Sequence, residues 1–192
     1  MITIVYETHS FSEDNERGAA SGWAHSRLSV EGRRGARELG ERRRDDGIAA
    51  VFSSDLRRAA ETAEVAFSGS DIPVLLDWRL RECDYGDLTQ GAALEHIRDR
   101  VRYLDTPYPG GESWQQAVAR VGRFLHDLPV RWQDQRVLVI GHLATRWALD
   151  HHLGGVPLET LATHHVPLEQ APEMYRTFQR KDDGCLKVVL TP

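Results

Sequence analysis

The sequence predicts a three-layer α/β/α sandwich with a mostly parallel central sheet. Short apolar runs rich in β-branched residues recur along the chain, stretches of helical period separate them, and strand-then-helix alternation of this kind stacks helices on both faces of one sheet. The length of 192 residues, 41% of them hydrophobic and 28% charged, suits one buried core better than two. Residues 1–192 are therefore read as a single domain, with a candidate lid within 83–110.

The elements follow in order. "ITIVY" is a buried-strand candidate, "IAAVFSS" a second, "IPVLLD" a third, "RVLVIGH" a fourth and "CLKVVL" a fifth, expected at a sheet edge. Ser29 is placed to cap the helix "VEGRRGARELGERRR", with Ala36 and Leu39 facing inward and Gly32 and Gly35 lowering its propensity. Asp55 is expected to cap "LRRAAETAEVAF". The long "ESWQQAVARVGRFLHDL" repeats apolar residues at Val118, Val121, Leu125 and Leu128. "DTPYPGGES" is the loop richest in turn formers.

Composition removes several classes of function. No run approaches the roughly 18 apolar residues of a membrane span. The opening "MITIVYETHS" lacks the basic and long apolar regions of a signal peptide, so a cytoplasmic location is expected. Two cysteines, Cys83 and Cys185, make no disulfide framework and no CxxC metal site. The adjacent pairs His151–His152 and His164–His165 are poorly spaced for chelation from one helix. A net charge of −5, with the arginines dispersed among carboxylates, argues against nucleic acid as a partner.

In sheets of this class ligands gather at the carboxyl ends of the strands. His9 follows the first strand, "SSDLRR" the second, "RLRECDYG" the third and His142 the fourth. Two imidazoles, at least one guanidinium and the carboxyl of Glu82 are thereby predicted to meet. That set suits phosphoryl transfer through a phosphohistidine: a neutral imidazole attacks phosphorus, cationic donors hold the oxygens, and a protonated acid releases the alkoxide. Taken singly, each residue has a plainer reading. His9 would be a polar strand end, Arg58 and Arg57 solvated helix residues, and Glu82 an ion-pair partner of Arg79 or Arg81.

Across "THS", "LSVEGRRGARELG", "VFSSDLRRAAETA", "RLRECDYGDLTQG", "PYPGGESW" and "VLVIGHLATRWAL", the chain resembles the histidine phosphatase superfamily, in its phosphoglycerate mutase-like branch. The resemblance implies that fold and the following roles. His9 is the phosphorylated nucleophile and Glu82 the proton donor. Arg58 and His142 bind the phosphoryl group, His142 at the start of a helix whose N–H groups favour an anion. Asn15 is a further phosphate ligand, and Ser21 and Gly22 contact substrate. Trp23 is a candidate for the cavity wall.

The family's Arg-His-Gly signature is altered here to Thr8-His9-Ser10. At Thr8 a neutral hydroxyl stands in place of a charged fork of donors, which by comparison with an oxyanion donor removes about 2–4 kcal/mol of transition-state stabilisation. Arg17 and Arg146 are the candidate replacements, and Arg98, Arg100 or Arg102 could serve the lid. The expected activity is hydrolysis of a small phosphate monoester, with no metal and no other cofactor. Hydrolase is preferred to mutase because the segment between Glu82 and "GGES" is short. The alternatives are a weakened relative that binds a phosphorylated ligand or protein, or another reaction on an anionic substrate. The expected partner is a small phosphorylated substrate, neither nucleic acid nor membrane, and a homo-oligomer is compatible with this reading.

Overall fold

The computed structural model describes residues 1–161, 165–167 and 189–191. Four strands, β1 (Thr3–Thr8), β2 (Ala50–Ser53), β3 (Val74–Leu76) and β4 (Arg136–Gly141), form one sheet in the order β1-β4-β2-β3, every neighbouring pair parallel. Helices α2 (Val30–Arg43) and α3 (Arg57–Ala66) pack together on one face, α5 (Trp114–Trp132) and α6 (Leu143–His152) on the other. Short helices α1 (Glu13–Glu16), α4 (Ala93–Asp99) and α7 (Leu158–Leu161) and three 3-10 turns, at Trp78–Leu80, Gly86–Leu88 and Arg100–Tyr103, complete the connections.

The strand pleat divides the core in two. In β4, Val137 and Val139 join the cluster under α5 and α6, whereas Leu138 and Ile140 join the one under α2 and α3. A central parallel strand covered on both faces must be apolar throughout, which is why "VLVI" reads as a continuous run. Val118, Val121, Leu125 and Leu128 all lie in the first cluster, as their spacing predicts.

Ser29 caps α2, its hydroxyl accepting from the Gly32 N–H at 3.1 Å. The glycines that weaken α2 as a helix are what let it approach its neighbours. A Cβ on Gly32 would overlap the Phe11 carbonyl, and one on Gly40 would overlap the Ala66 carbonyl. Asp55, expected as the cap of α3, does not cap it. Its carboxylate is held bidentately by Arg81 at 2.7 and 2.6 Å, a charge-assisted pair stronger than a cap bond, and the Ser54 hydroxyl accepts from the Leu56 N–H instead.

The last predicted strand also differs from expectation. The central sheet ends in β1 and β3, while β6 (Val189–Thr191) pairs in parallel with β5 (His165–Pro167) in a separate two-stranded sheet among the described residues. Pairing with β5 satisfies the backbone groups that would otherwise have sought the edge of the main sheet. Cys185 and His164 lie outside the described residues.

Candidate active site

Register brings the site together. Thr8 is opposite Gly141 in the β1/β4 ladder, so the next residues, His9 and His142, leave adjacent strands side by side. The His9 N–H donates to the Gly141 carbonyl at 3.0 Å, and the two imidazole rings lie 4.9 Å apart. Ser53 is level with Ile140 and with Leu76, so the segments leading to Arg58 and to Glu82 start from the same edge.

His9 is held at both nitrogens. Its Nδ1 is 2.7 Å from the Ser10 carbonyl, an acceptor only, so Nδ1 carries the proton and Nε2 the lone pair. The Arg58 Nε–H donates to that Nε2 at 3.3 Å. Burial, and then the Arg58 charge, press the His9 pKa down to about 3. Arg58 in turn donates to the carbonyls of Gly22 at 2.9 Å and Ala24 at 3.3 Å, and to the His142 Nδ1 at 3.3 Å. His142 is fully buried, and burial followed by the Arg58 charge holds it well below the ordinary imidazole range. With Nδ1 accepting from a guanidinium, its proton sits on Nε2, which has no partner among the described residues.

Glu82 occupies the N-terminus of α6. Its carboxylate accepts from the N–H groups of Ala144 at 3.1 Å, Leu143 at 3.3 Å and its own neighbour Cys83 at 2.9 Å. The N–H groups expected to be free for a substrate anion are therefore engaged by the protein's own carboxylate. Neither Arg79 nor Arg81 pairs with Glu82; they take Asp77 with Asp127, and Asp55. The Glu82 backbone is pinned from behind, its carbonyl accepting from the Trp23 indole N–H at 2.7 Å and from Arg120 at 3.1 Å. Arg120, buried in α5, also donates to the carbonyls of Arg79 and Arg81 and pairs with Glu112.

A cavity of about 170 Å³ opens on this cluster, lined among others by His9, Asn15, Ser21, Gly22, Arg58 and Glu82. All six of those residues were singled out from the sequence together with His142, which stands behind them against His9 and Arg58. Thr8 is not in the lining. It is exposed, and its hydroxyl lies 3.3 Å from that of Tyr6, whose own O–H donates to the His142 carbonyl at 2.7 Å. Asn15 uses its side-chain oxygen to close the capping box of α1 with Ser12. Ser21 hydrogen-bonds Asp14. Trp23 stands behind the wall and not in it.

The proposed replacement arginines do not reach the cavity. Arg17 pairs with Asp14 and Arg146 with Asp150 at 2.8 Å. The segment 83–110 contributes Tyr85, Ala93, His96, Ile97 and Arg100 to the lining, but neither Arg98 nor Arg102. Tyr85, His96 and Arg120 were missed in the sequence. Only the "DYG" after Glu82 carried a signal, whereas the burial of Arg120 has none in an otherwise amphipathic helix. Cys83 is buried and its thiol is pushed far up by burial, which makes it inert as a nucleophile. His151 and His152 bond the carbonyls of Val156 and Val118. Among the described residues no helix is long and apolar enough to cross a membrane.

The family model of the histidine phosphatase superfamily, branch 1, matches residues 8–183. The chain belongs to that superfamily. It is 35% identical over 173 residues to a 2,3-bisphosphoglycerate-dependent phosphoglycerate mutase of Methylobacterium sp. (strain 4-46), covering 82% of this chain and 83% of the relative. Among solved structures, Bacillus stearothermophilus YhfR superposes with a TM-score of 0.74 at 28% identity, covering 84% of each chain. A mycobacterial glucosyl-3-phosphoglycerate phosphatase complexed with VO3 superposes with a TM-score of 0.73 at 26% identity, covering 84% of this chain and 86% of the other. Membership of this superfamily, with phosphatases and mutases as neighbours, supports phosphoryl transfer as the function.

Proposed function

We propose that this protein is a metal-independent phosphatase that hydrolyses a small phosphate monoester through a phosphohistidine on His9. The observation that carries the reading is the state of the His9 ring: Nδ1–H anchored on a backbone carbonyl at 2.7 Å, leaving Nε2 unprotonated on the side facing Arg58 and His142.

When a phosphoryl group enters, Arg58 Nε transfers its hydrogen bond from His9 to a phosphoryl oxygen, which frees the lone pair for in-line attack. The P–N bond forms as the bond to the leaving oxygen breaks, and Glu82, as the carboxylic acid, gives that oxygen its proton. Water then attacks phosphorus, Glu82 takes a proton from it, and the P–N bond breaks to release inorganic phosphate. Arg58 and the unpartnered Nε2–H of His142 stabilise the equatorial oxygens throughout. Asn15 has its side-chain N–H₂ available to the phosphoryl group, and Ser21 and Gly22 bound the leaving-group side. Hydrolysis is favoured over mutase chemistry by the short segment between Glu82 and Gly110.

A panel of phosphate monoesters, assayed with and without a chelator, tests the reading. At least one small monoester is expected to be hydrolysed at a rate the chelator leaves unchanged, and His9→Ala is expected to abolish it. Full activity in His9→Ala, or loss of activity on chelation, contradicts the proposal.

A further inference from the structure

Arg100 opens the 3-10 turn after α4 and is 7% exposed. Its guanidinium lies over the rings of Trp114 and Trp147, 5.2 and 5.5 Å from their centroids. Among the described residues no hydrogen bond reaches it, no carboxylate stands within ion-pair distance, and its Nε is a buried donor without a partner. Every other buried arginine among the described residues is satisfied. Arg58 donates to two carbonyls and two imidazoles, and Arg120 to three carbonyls and a carboxylate. A buried cation left without a counter-charge is a standing cost to the fold, and such a group persists where something else supplies the anion.

The active-site cavity offers that anion a place to sit. Arg100 lines the same 170 Å³ cavity as His9, Arg58 and Glu82. The space is large enough to admit a phosphoryl group. A phosphoryl group held by Arg58 therefore shares its cavity with Arg100. Meanwhile Thr8, which brings no charge, is not part of the cavity lining.

We propose that Arg100 is a phosphoryl-binding residue, supplying from the segment after Glu82 the second guanidinium that the histidine loop of this chain lacks at Thr8. The aromatic rings of Trp114 and Trp147 hold its plane and exclude water from it. This inference rests on the phosphatase reading for its kinetic consequence, but the binding of the anion is separately measurable.

The test compares wild type with Arg100→Gln, Arg100→Met and Arg100→Lys. The probes are p-nitrophenyl phosphate, which has no second anionic group, and orthovanadate and inorganic phosphate as ligands. Arg100→Gln and Arg100→Met are expected to lower kcat/KM on p-nitrophenyl phosphate by about a hundredfold to a thousandfold. Both should weaken orthovanadate and phosphate binding by at least about tenfold, and Arg100→Lys should recover part of each. Because an unpaired charge is being removed, the ligand-free Tm of the Met variant is expected to hold or rise, while the Tm increase on adding phosphate is lost. Turnover of p-nitrophenyl phosphate and anion affinity within about twofold of wild type in the Met variant would overturn the proposal. So would a selective loss on substrates bearing a second anionic group, which would assign Arg100 to that group. If wild type itself hydrolyses no monoester, the phosphatase reading fails, and the phosphate titration still decides the role of Arg100.

Discussion

His9 and His142 are kept neutral by burial beside a guanidinium, and this has consequences for both activity and stability. With its pKa pressed down to about 3, His9 is neutral around pH 7, as the proposed nucleophile must be. The pH profile of kcat/KM, corrected for ionisation of the substrate, is therefore expected to show no inflection near 6.5 attributable to the nucleophile. Both folded-state pKa values lie below the unfolded value of about 6.5, so the unfolded chain binds more protons below that pH. The stability associated with the neutral imidazoles is fully present above about pH 6.5 and is lost as pH falls toward 3. Urea titrations from pH 8 to pH 4 should show this loss, with a shallower slope in His142→Gln. At Glu82, the substitution Glu82→Gln is expected to reduce hydrolysis of alkyl phosphates by about a hundredfold or more, and of p-nitrophenyl phosphate by much less, because only a poor leaving group needs the proton. Equal losses on the two substrates would count against an acid role.

Helix α2 illustrates how an element's apparent weakness serves the site. Gly32 lies where a Cβ would overlap the carbonyl of Phe11, two residues after His9, and a Cβ on Gly35 would crowd the Ser10 hydroxyl. Replacing an exposed helical glycine with alanine normally stabilises by about 1 kcal/mol. Here the sign reverses. Gly32→Ala is expected to destabilise by about 1–3 kcal/mol, by overpacking, and to lower activity by displacing the histidine loop. Chemical denaturation read against the same substitution at an exposed site checks both sign and size. Helix α3 carries the opposite lesson. Asp55 has the chemistry and position of a cap, yet its partner is Arg81, 26 residues away, and no local pattern discloses such a pairing. The N-terminus of α6 was readable as an anion site, but not that Glu82 already fills it.

Across the whole molecule, the residues legible in the sequence are those that parallel register makes coincide. Thr8 with Gly141, and Ile140 with Ser53 and Leu76, bring four strand ends level, so whatever follows them must share one edge. His9, Glu82, His142 and an arginine of "SSDLRR" were recoverable on that ground, and the family resemblance singled out Arg58. Arg100 and His96 come from a short helix and turn between strands, whose position over the cavity depends on backbone bonds such as Ala93 N–H to Gly18 and Ala20 N–H to Gly91, and strand order says nothing of those. The final strand was misplaced for a related reason: its partner is β5, and not an edge of the main sheet.

Trapping the covalent intermediate tests the account at its centre. The protein is mixed with a labelled phosphate monoester, quenched in alkali to preserve phosphoramidates, and mapped by mass spectrometry. The predicted result is phosphate on the imidazole of His9, absent in His9→Asn. Label on a different residue, or sustained turnover with no covalent phosphate at any time point, would contradict it.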